Sequence, residues 1–234
     1  MEQNNTQLTP LILASASPRR HELLTSLAIA FTVAVSDAEE SDLLPDTTMM
    51  SLLPPVAVPL HDHPTVRAWR KGYQIAMLRR DAAILAADTI VVINGQVLNK
   101  PVDASDAYRM LRLLSGQTHQ VYTGMTLFIA GRRPLFHVCC SDVTMQLLTD
   151  QQITEYVATG ESLDKAGAYG IQGMAGTLVT AVTGSYTNVV GLPLRDTISL
   201  LAHVPIMPGR DALAAYDYWR RTLHYSSVPH GSDI

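Results

Sequence analysis

Three places in this sequence put a charge where local structure disfavours it, and each suggests a chemistry. Arg19-Arg20 follows Ser17-Pro18, which reads as a helix start with Ser17 as N-cap and Pro18 at the first helical position. Two cations then sit in the first turn, where the helix macrodipole favours anions. A phosphate docked there would meet free N–H groups and two guanidinium forks. The plainer alternative is a pair of solvated arginines whose stems cover apolar surface. Asp88 interrupts the run Ala82–Ile93, which apart from Thr89 is otherwise apolar. A carboxylate in such a strand needs a cation, a metal or a polar cleft, because burying it alone is costly. With such a partner it can take a proton from water or hold a divalent ion. The segment Asp164–Gly173 sets Lys165 ahead of glycines at 167, 170 and 173, so that backbone can approach a ligand closely. It fits neither the P-loop nor the dinucleotide template, and by spacing alone it reads as a flexible loop.

Weaker signals surround these. Lys100-Pro101 is a cation held by a rigid turn, and Glu39 and Glu40 offer further carboxylates for a metal in an acidic stretch that otherwise reads as solvated. His61 and His63 have no third ligand in view and are read as surface residues. No nucleophile–His–Asp arrangement can be argued.

The elements that must position these groups follow from periodicity. Strands are expected over Leu8–Ala14 and Phe31–Val35, with a helix from Ser17 whose apolar stripe is Leu23, Leu24, Leu27 and Ala28. Leu43–Pro64 holds five prolines and reads as an irregular excursion. A helix is expected over Val66–Arg80, then the strand Ala82–Ile93, a two-residue turn at Asn94-Gly95 and the strand Gln96–Leu98. Further helices are read at Asp103–Leu114, Asp150–Ala158 after the cap Thr149, Leu192–Val204 and Asp211–Leu223. Strands are read at Gln120–Ala130, Pro134–Leu147 and Thr177–Val182, with a loop at Gly160–Gly176. The sum is a mixed α/β fold, with residues 8–208 as one domain, 1–7 as an N-terminal extension and 209–234 as a helical C-terminal extension ending in a frayed tail.

With 234 residues, 47% of them hydrophobic, the chain can bury a substantial core. Its net charge of −4 argues against a protein that coats a nucleic-acid polymer, while leaving room for small phosphorylated ligands. No apolar stretch approaches the roughly 20 residues that cross a bilayer, and the N-terminus lacks a signal-peptide pattern. The two cysteines, Cys139 and Cys140, are adjacent in a strand and point to opposite faces, which disfavours a disulfide between them. A reduced, cytoplasmic protein is the expectation.

Taken together, the segments Leu13–Arg20, Ala87–Val92, Lys100-Pro101, Leu114–Val121, Asp164–Gly173 and Val189–Leu194 resemble the Maf family of nucleotide pyrophosphatases, in the right order from Leu11 to Leu200. The resemblance implies a mixed twisted sheet flanked by helices, two lobes around a deep cleft, a divalent cation (Mg²⁺ or Mn²⁺) and hydrolysis between the α- and β-phosphates of a nucleoside triphosphate. A homodimer would suit the family. Asp88 matches the family's proton acceptor. Arg19, Thr89 and Gln172 match the positions that mark its dTTP/UTP branch. Ser15, Arg20, Glu40, Lys100 and Lys165 match positions lining the phosphate and metal cleft. One departure stands out: aligned through Arg67, the family's helix lysine falls on Gly72, with Lys71 about 100° away around the helix. The excursion before that helix is also longer than the family norm.

The expected mechanism places the triphosphate against Arg19, Arg20, Lys100 and Lys165, with the metal on Glu40 and Asp88. Asp88 then activates water, and Gln172 reads the pyrimidine edge. The physiological reading is removal of modified pyrimidine triphosphates from the pool. Two rivals remain: a nucleotide-binding regulator linked to cell-division arrest with little turnover, and a purine triphosphate pyrophosphatase of the inosine-triphosphate class.

Overall fold

A computed structural model describes residues 9–36 and 42–222. In chain order the elements are β1 (Leu11–Ala14), α1 (Pro18–Ser26), β2 (Thr32–Val33), α2 (Thr47–Met50), α3 (Pro64–Leu78), β3 (Ala83–Ile93), β4 (Gln96–Leu98), α4 (Ala104–Leu114), β5 (Thr118–Phe128), β6 (Leu135–Met145), α5 (Asp150–Ala158), β7 (Val179–Thr183), α6 (Tyr186–Val190), α7 (Leu194–Leu201) and α8 (Ala212–Thr222). The strands form one mixed sheet in the order β2-β1-β3-β5-β6-β7, with β4 added to β3. This is the mixed α/β architecture expected from the sequence.

Local chemistry explains most of the boundaries. Ser17, Asp103 and Thr149 cap α1, α4 and α5 through their side chains, and Thr149 forms a full capping box with Gln152. Asn94 and Gly95 both have positive φ, 50° and 76°, as a tight two-residue hairpin requires. The Leu43–Pro64 excursion carries a short helix, α2, and a 3₁₀ turn over Leu60–Asp62. The stretch Gly184–Gly191 contains α6, capped by Ser185. Five residues are too few for a helical period to register in sequence.

His63 corrects an expectation. It is buried rather than on the surface, and it is the N-cap of α3. Its Nδ1 accepts from Thr65 N–H at 3.2 Å, so the Nε2, 2.9 Å from the Pro54 carbonyl, is the donor. Arg70 ties down the same excursion by donating to the carbonyls of Leu43 and His61, at 2.7 Å and 3.2 Å.

Side chains alternate across β3, and the two faces carry separate cores. Ile84, Ala86 and Phe128 pack with Trp69 and Ile75 of α3 on one face. Ala83, Leu85 and Val91 pack with α1, α4, α7 and α8 on the other. The C-terminal helix α8 places Tyr216 and Trp219 in that second core, against Tyr186.

Two features of this sheet create a site. First, β1 pairs with β3 only up to Ala14↔Ala86, and β4 takes the same edge only from Val91↔Leu98, so among the described residues Ala87 to Ile90 have strand neighbours on the β5 side alone. Second, α3 lies unusually close to the sheet. A Cβ on Gly124, the residue opposite Asp88, would sit 2.2 Å from the Thr65 backbone nitrogen, and one on Gly72 would sit 2.4 Å from the Phe128 ring.

The loop between α5 and β7 is anchored to the sheet by Tyr169, whose hydroxyl lies 2.7 Å from Nε2 of buried His119 on β5. Its glycines leave room for the protein's own side chains: a Cβ on Gly170 would meet Lys165 Cε at 2.4 Å, and one on Gly173 would meet Glu161 Oε2 at 2.3 Å.

Two outcomes follow from this packing. Gly124→Ala should lower stability by about 2 kcal/mol or more, and by more than Gly72→Ala, in urea titrations. At Gly124 the obstacle is backbone, whereas at Gly72 it is the end of a side chain that can rotate. Burial lowers the His119 imidazole to about 4. Below its ordinary value near 6.5 the unfolded chain binds a proton that the folded chain refuses, so stability present at neutral pH is lost as the pH falls from about 6.5 to about 4. This one group removes on the order of 3 kcal/mol across that window. His119→Gln should flatten the pH dependence of the urea midpoint there, and an unchanged slope would contradict the assignment.

Candidate active site

The open edge of β3 faces a cleft of about 1000 Å³. The helix α1 enters from the end of β1, α3 lies along one face, and the Lys100 turn and the loop carrying Lys165 and Gln172 close the far side. Ser15, Arg19, Arg20, Asp88, Thr89, Lys100, Lys165 and Gln172 all line it. Glu40 falls outside the described residues.

Asp88 has the parity of Ile84 and Ala86, so its carboxylate lies on the α3 face, with only 8% of the side chain exposed. Oδ1 accepts from Lys71 Nζ at 2.6 Å, and Oδ2 lies 3.9 Å from Arg67 and has no hydrogen-bond partner among the described residues. Burial pushes this carboxyl up. The Lys71 and Arg20 charges, the Lys71 hydrogen bond and the Arg67 charge together outweigh burial, and the group is held below the usual carboxylate range. Asp88 is therefore ionised at neutral pH, with one oxygen directed to a lysine and the other unpartnered.

Lys71 resolves the departure noted in sequence. Gly72 faces Phe128 and Ala86, where no lysine would fit. The neighbouring Lys71 supplies the cation despite the rotation. Arg67, one turn earlier on α3, is a second cation at Asp88 that the sequence reading did not single out; it also pairs with Asp62 at 2.9 Å. The signal available was the i, i+4 spacing of Arg67 and Lys71, which puts both on one helix face.

Thr89 has the opposite parity and faces α1. Arg20 donates there to Thr89 Oγ1 at 3.0 Å, to Gly191 O at 2.9 Å and to Ser15 Oγ at 3.3 Å. The guanidinium is thus buried and held across the open strand edge, close enough to Asp88 to act on its charge. Arg19 is one-third exposed and 3.8 Å from Asp164. Asp164 also accepts from Lys165, which donates as well to the Glu161 carbonyl at 2.7 Å. Burial raises the Asp164 carboxyl, but the Lys165 hydrogen bond and charge and the Arg19 charge outweigh it and lower it overall. An incoming phosphate must therefore compete with Asp164 for these two cations. Lys100 is exposed at the rim. Gln172 Oε1 is buried without a partner among the described residues.

Among the described residues, no three His, Cys, Asp or Glu side chains converge as a metal-binding group. Asp88 lines the cleft and offers one hard donor, the buried Oδ2. It suits a cation that takes most of its remaining ligands from water and phosphate. Also among the described residues, no helix is long and apolar enough to cross a membrane.

Chemically, this is a buried, ionised carboxylate in the field of guanidinium and ammonium groups from distant segments, in a cleft also lined by Gln172. The arrangement fits an anionic ligand that also presents a polar edge. Comparison with known proteins agrees with it. The family described as Maf-like protein matches residues 10–204. A dTTP/UTP pyrophosphatase of Salmonella typhimurium is 46% identical over 198 residues, covering 84% of this chain and 93% of that relative. Proteins of the same name from Escherichia coli O157:H7 and Shigella sonnei are each 45% identical over the same shares. With most of both chains aligned and the motif residues gathered in one cleft, this protein belongs to the Maf-like family.

Proposed function

We propose that this protein hydrolyses dTTP and UTP to the monophosphate and pyrophosphate, which would clear modified pyrimidine triphosphates from the nucleotide pool. The observation that carries the reading is Asp88: ionised, buried, and with one oxygen unpartnered in a cleft of cations. The names of the relatives supply the substrate pair. A cytoplasmic location and a homodimer belong to the same reading.

The triphosphate lies against Arg19, Arg20, Lys100 and Lys165 at the N-terminus of α1. Asp88 Oδ2 takes a proton from water as the water oxygen bonds to phosphorus and the bridging P–O bond of the α–β anhydride breaks. Pyrophosphate leaves with the bonding electron pair, and Asp88 later returns the proton to solvent. A carboxylate this acidic is a weak base, so the surrounding cations must stabilise the charge that builds on the leaving group. A divalent ion held by Asp88 and Glu40 would add Lewis-acid stabilisation of phosphate charge. Lys71 fixes the Asp88 rotamer through Oδ1 and leaves Oδ2 for the water. Gln172 Oε1 is an acceptor for a ring N–H of the pyrimidine.

A nucleotide panel with Mn²⁺ or Mg²⁺ and detection of pyrophosphate tests this. The fastest release is expected from dTTP and UTP, and Asp88→Asn should lower it by about 10²–10⁴-fold. Faster ITP or XTP turnover would contradict the pyrimidine assignment. Tight nucleotide binding with wild type no faster than Asp88→Asn would instead favour a regulator. Lys71→Met should also move the acid limb of the pH–rate profile to higher pH. It removes two of the influences that oppose burial at Asp88, so the base is lost by protonation sooner as pH falls. An unmoved limb would show that Asp88 is not the group titrating there.

A further inference from the structure

Behind Arg20 lies a buried polar chain that takes no part in the proposed reaction. Thr123 on β5 and Asn188 on α6 are both fully buried. Thr123 Oγ1 lies 2.9 Å from Thr89 Oγ1 and also 2.9 Å from the Asn188 carbonyl oxygen. A carbonyl only accepts, so the single Thr123 hydroxyl proton is committed to Asn188. The Thr89 hydroxyl must then be the donor in its contact with Thr123. With its proton so directed, Thr89 Oγ1 can only accept from its other side, where Arg20 donates at 3.0 Å. Proton direction is thereby fixed along the whole chain, from guanidinium to Thr89, to Thr123, to the Asn188 carbonyl.

The far end of the chain is itself locked. The Asn188 side-chain oxygen accepts from Thr123 N–H at 3.1 Å, while its amide nitrogen donates to Val121 O and to Ser141 Oγ, both at 2.9 Å. A flipped amide would set N–H against N–H and oxygen against carbonyl, so only one orientation is allowed. The same short segment supplies Gly191 O to Arg20 Nε at 2.9 Å. Residues 188–191 therefore hold Arg20 twice, directly through a carbonyl and indirectly through two hydroxyls.

We infer that Thr123 and Asn188 are positioning residues for Arg20, acting through Thr89, and that Thr89 contributes to polyphosphate binding by orienting this guanidinium rather than by donating to the nucleotide. The inference rests on the reading of the cleft as a triphosphate site, but it concerns anion binding and not turnover. Thr123→Val keeps the side-chain shape and removes the acceptor of the Thr89 proton. The freed Thr89 hydroxyl can then turn its proton toward Arg20, where it repels the guanidinium.

Calorimetric titration with inorganic tripolyphosphate tests this on the full-length protein, well below the unfolding temperature. Thr123→Val should weaken binding about tenfold, as expected for one misdirected hydrogen bond to a charged group. Thr123→Ser should restore it. Thr89→Val should lose a similar factor, and the Thr89→Val/Thr123→Val double variant should lose no more than Thr89→Val alone, because both act through one contact. With dTTP as substrate, the Thr123→Val effect should fall on KM more than on kcat. A folded Thr123→Val protein that binds tripolyphosphate like wild type would overturn the inference, as would additive losses in the double variant. Should Thr123→Val not fold, wild-type affinity in half-buried Thr89→Val would overturn it equally. Wild type that binds tripolyphosphate but leaves dTTP intact would refute the proposed function and leave this inference standing. Wild type that does not bind the anion would refute the site reading as well.

Discussion

The structure turns on a buried charge that must not stand alone. Asp88 is almost fully desolvated, and a carboxylate in that position without partners would either take up a proton or destabilise the fold by several kcal/mol. Lys71 at 2.6 Å, with Arg67 and Arg20 in its field, reverses the sign of the problem and leaves an anion where the strand alone would favour a neutral acid. Removing Lys71 is thus a different kind of change from removing a surface lysine. Its Nζ is held against a group with almost no water, where an ion pair interacts more strongly than at the surface and an orphaned partner is most costly.

Among the described residues, the fold supplies this pairing by leaving part of one strand without a neighbour on one of its two edges. An uninterrupted sheet would bury Asp88 and Thr89 between flanking strands and give substrate no approach. Here β1 stops pairing at Ala86 and β4 begins at Val91, so the chain leaving β1 turns into α1 beside the gap and delivers Arg20 there. On the face opposite α1, Gly124 lets the first turn of α3 rest on the β5 backbone directly across from Asp88, which sets Arg67 and Lys71 one and two turns further along that helix. Strand parity divides the labour: Asp88 faces α3 and its cations, whereas Thr89 faces α1 and the polar chain to Asn188. The two groups that the proposed reaction assigns to chemistry and to anion binding are sequence neighbours that answer to different helices.

How much of this could be read from sequence depended on whether the signal was local. Asp88 was legible because it breaks an apolar run, and Arg19-Arg20 because two cations oppose the macrodipole of a helix whose cap, Ser17, was also legible. The Asn94-Gly95 turn and the Thr149 cap follow from single-residue preferences that tertiary contacts had no reason to override. Lys71 was ambiguous because helix rotation about an uncertain register decides which side chain enters a cleft. Close approach at Gly72 and Gly124, visible only in three dimensions, settled it. His63 was misplaced because a proline-rich excursion looks exposed, while its ring caps one helix and binds the Pro54 carbonyl from a position with no periodic signature. The Thr123–Asn188 pairing joins residues 65 apart, and no local rule connects them.

In the proposed reaction the same cations serve two roles, and linkage couples those roles. Arg20 lowers the proton affinity of Asp88 through its charge and is also placed to meet phosphate. A polyanion drawn to Arg20 offsets part of that positive field, so Asp88 in the occupied cleft holds a proton more readily than in the empty one. Reciprocity then requires that protonating Asp88 strengthen anion binding by the same factor. A carboxylate held below its usual range in the free protein thereby becomes a better acceptor when there is a substrate whose hydrolysis needs one. The weak basicity of Asp88 in the empty cleft is thus a property of the resting state rather than an argument against its role as a base, provided the cations that enforce it are the ones the phosphates engage.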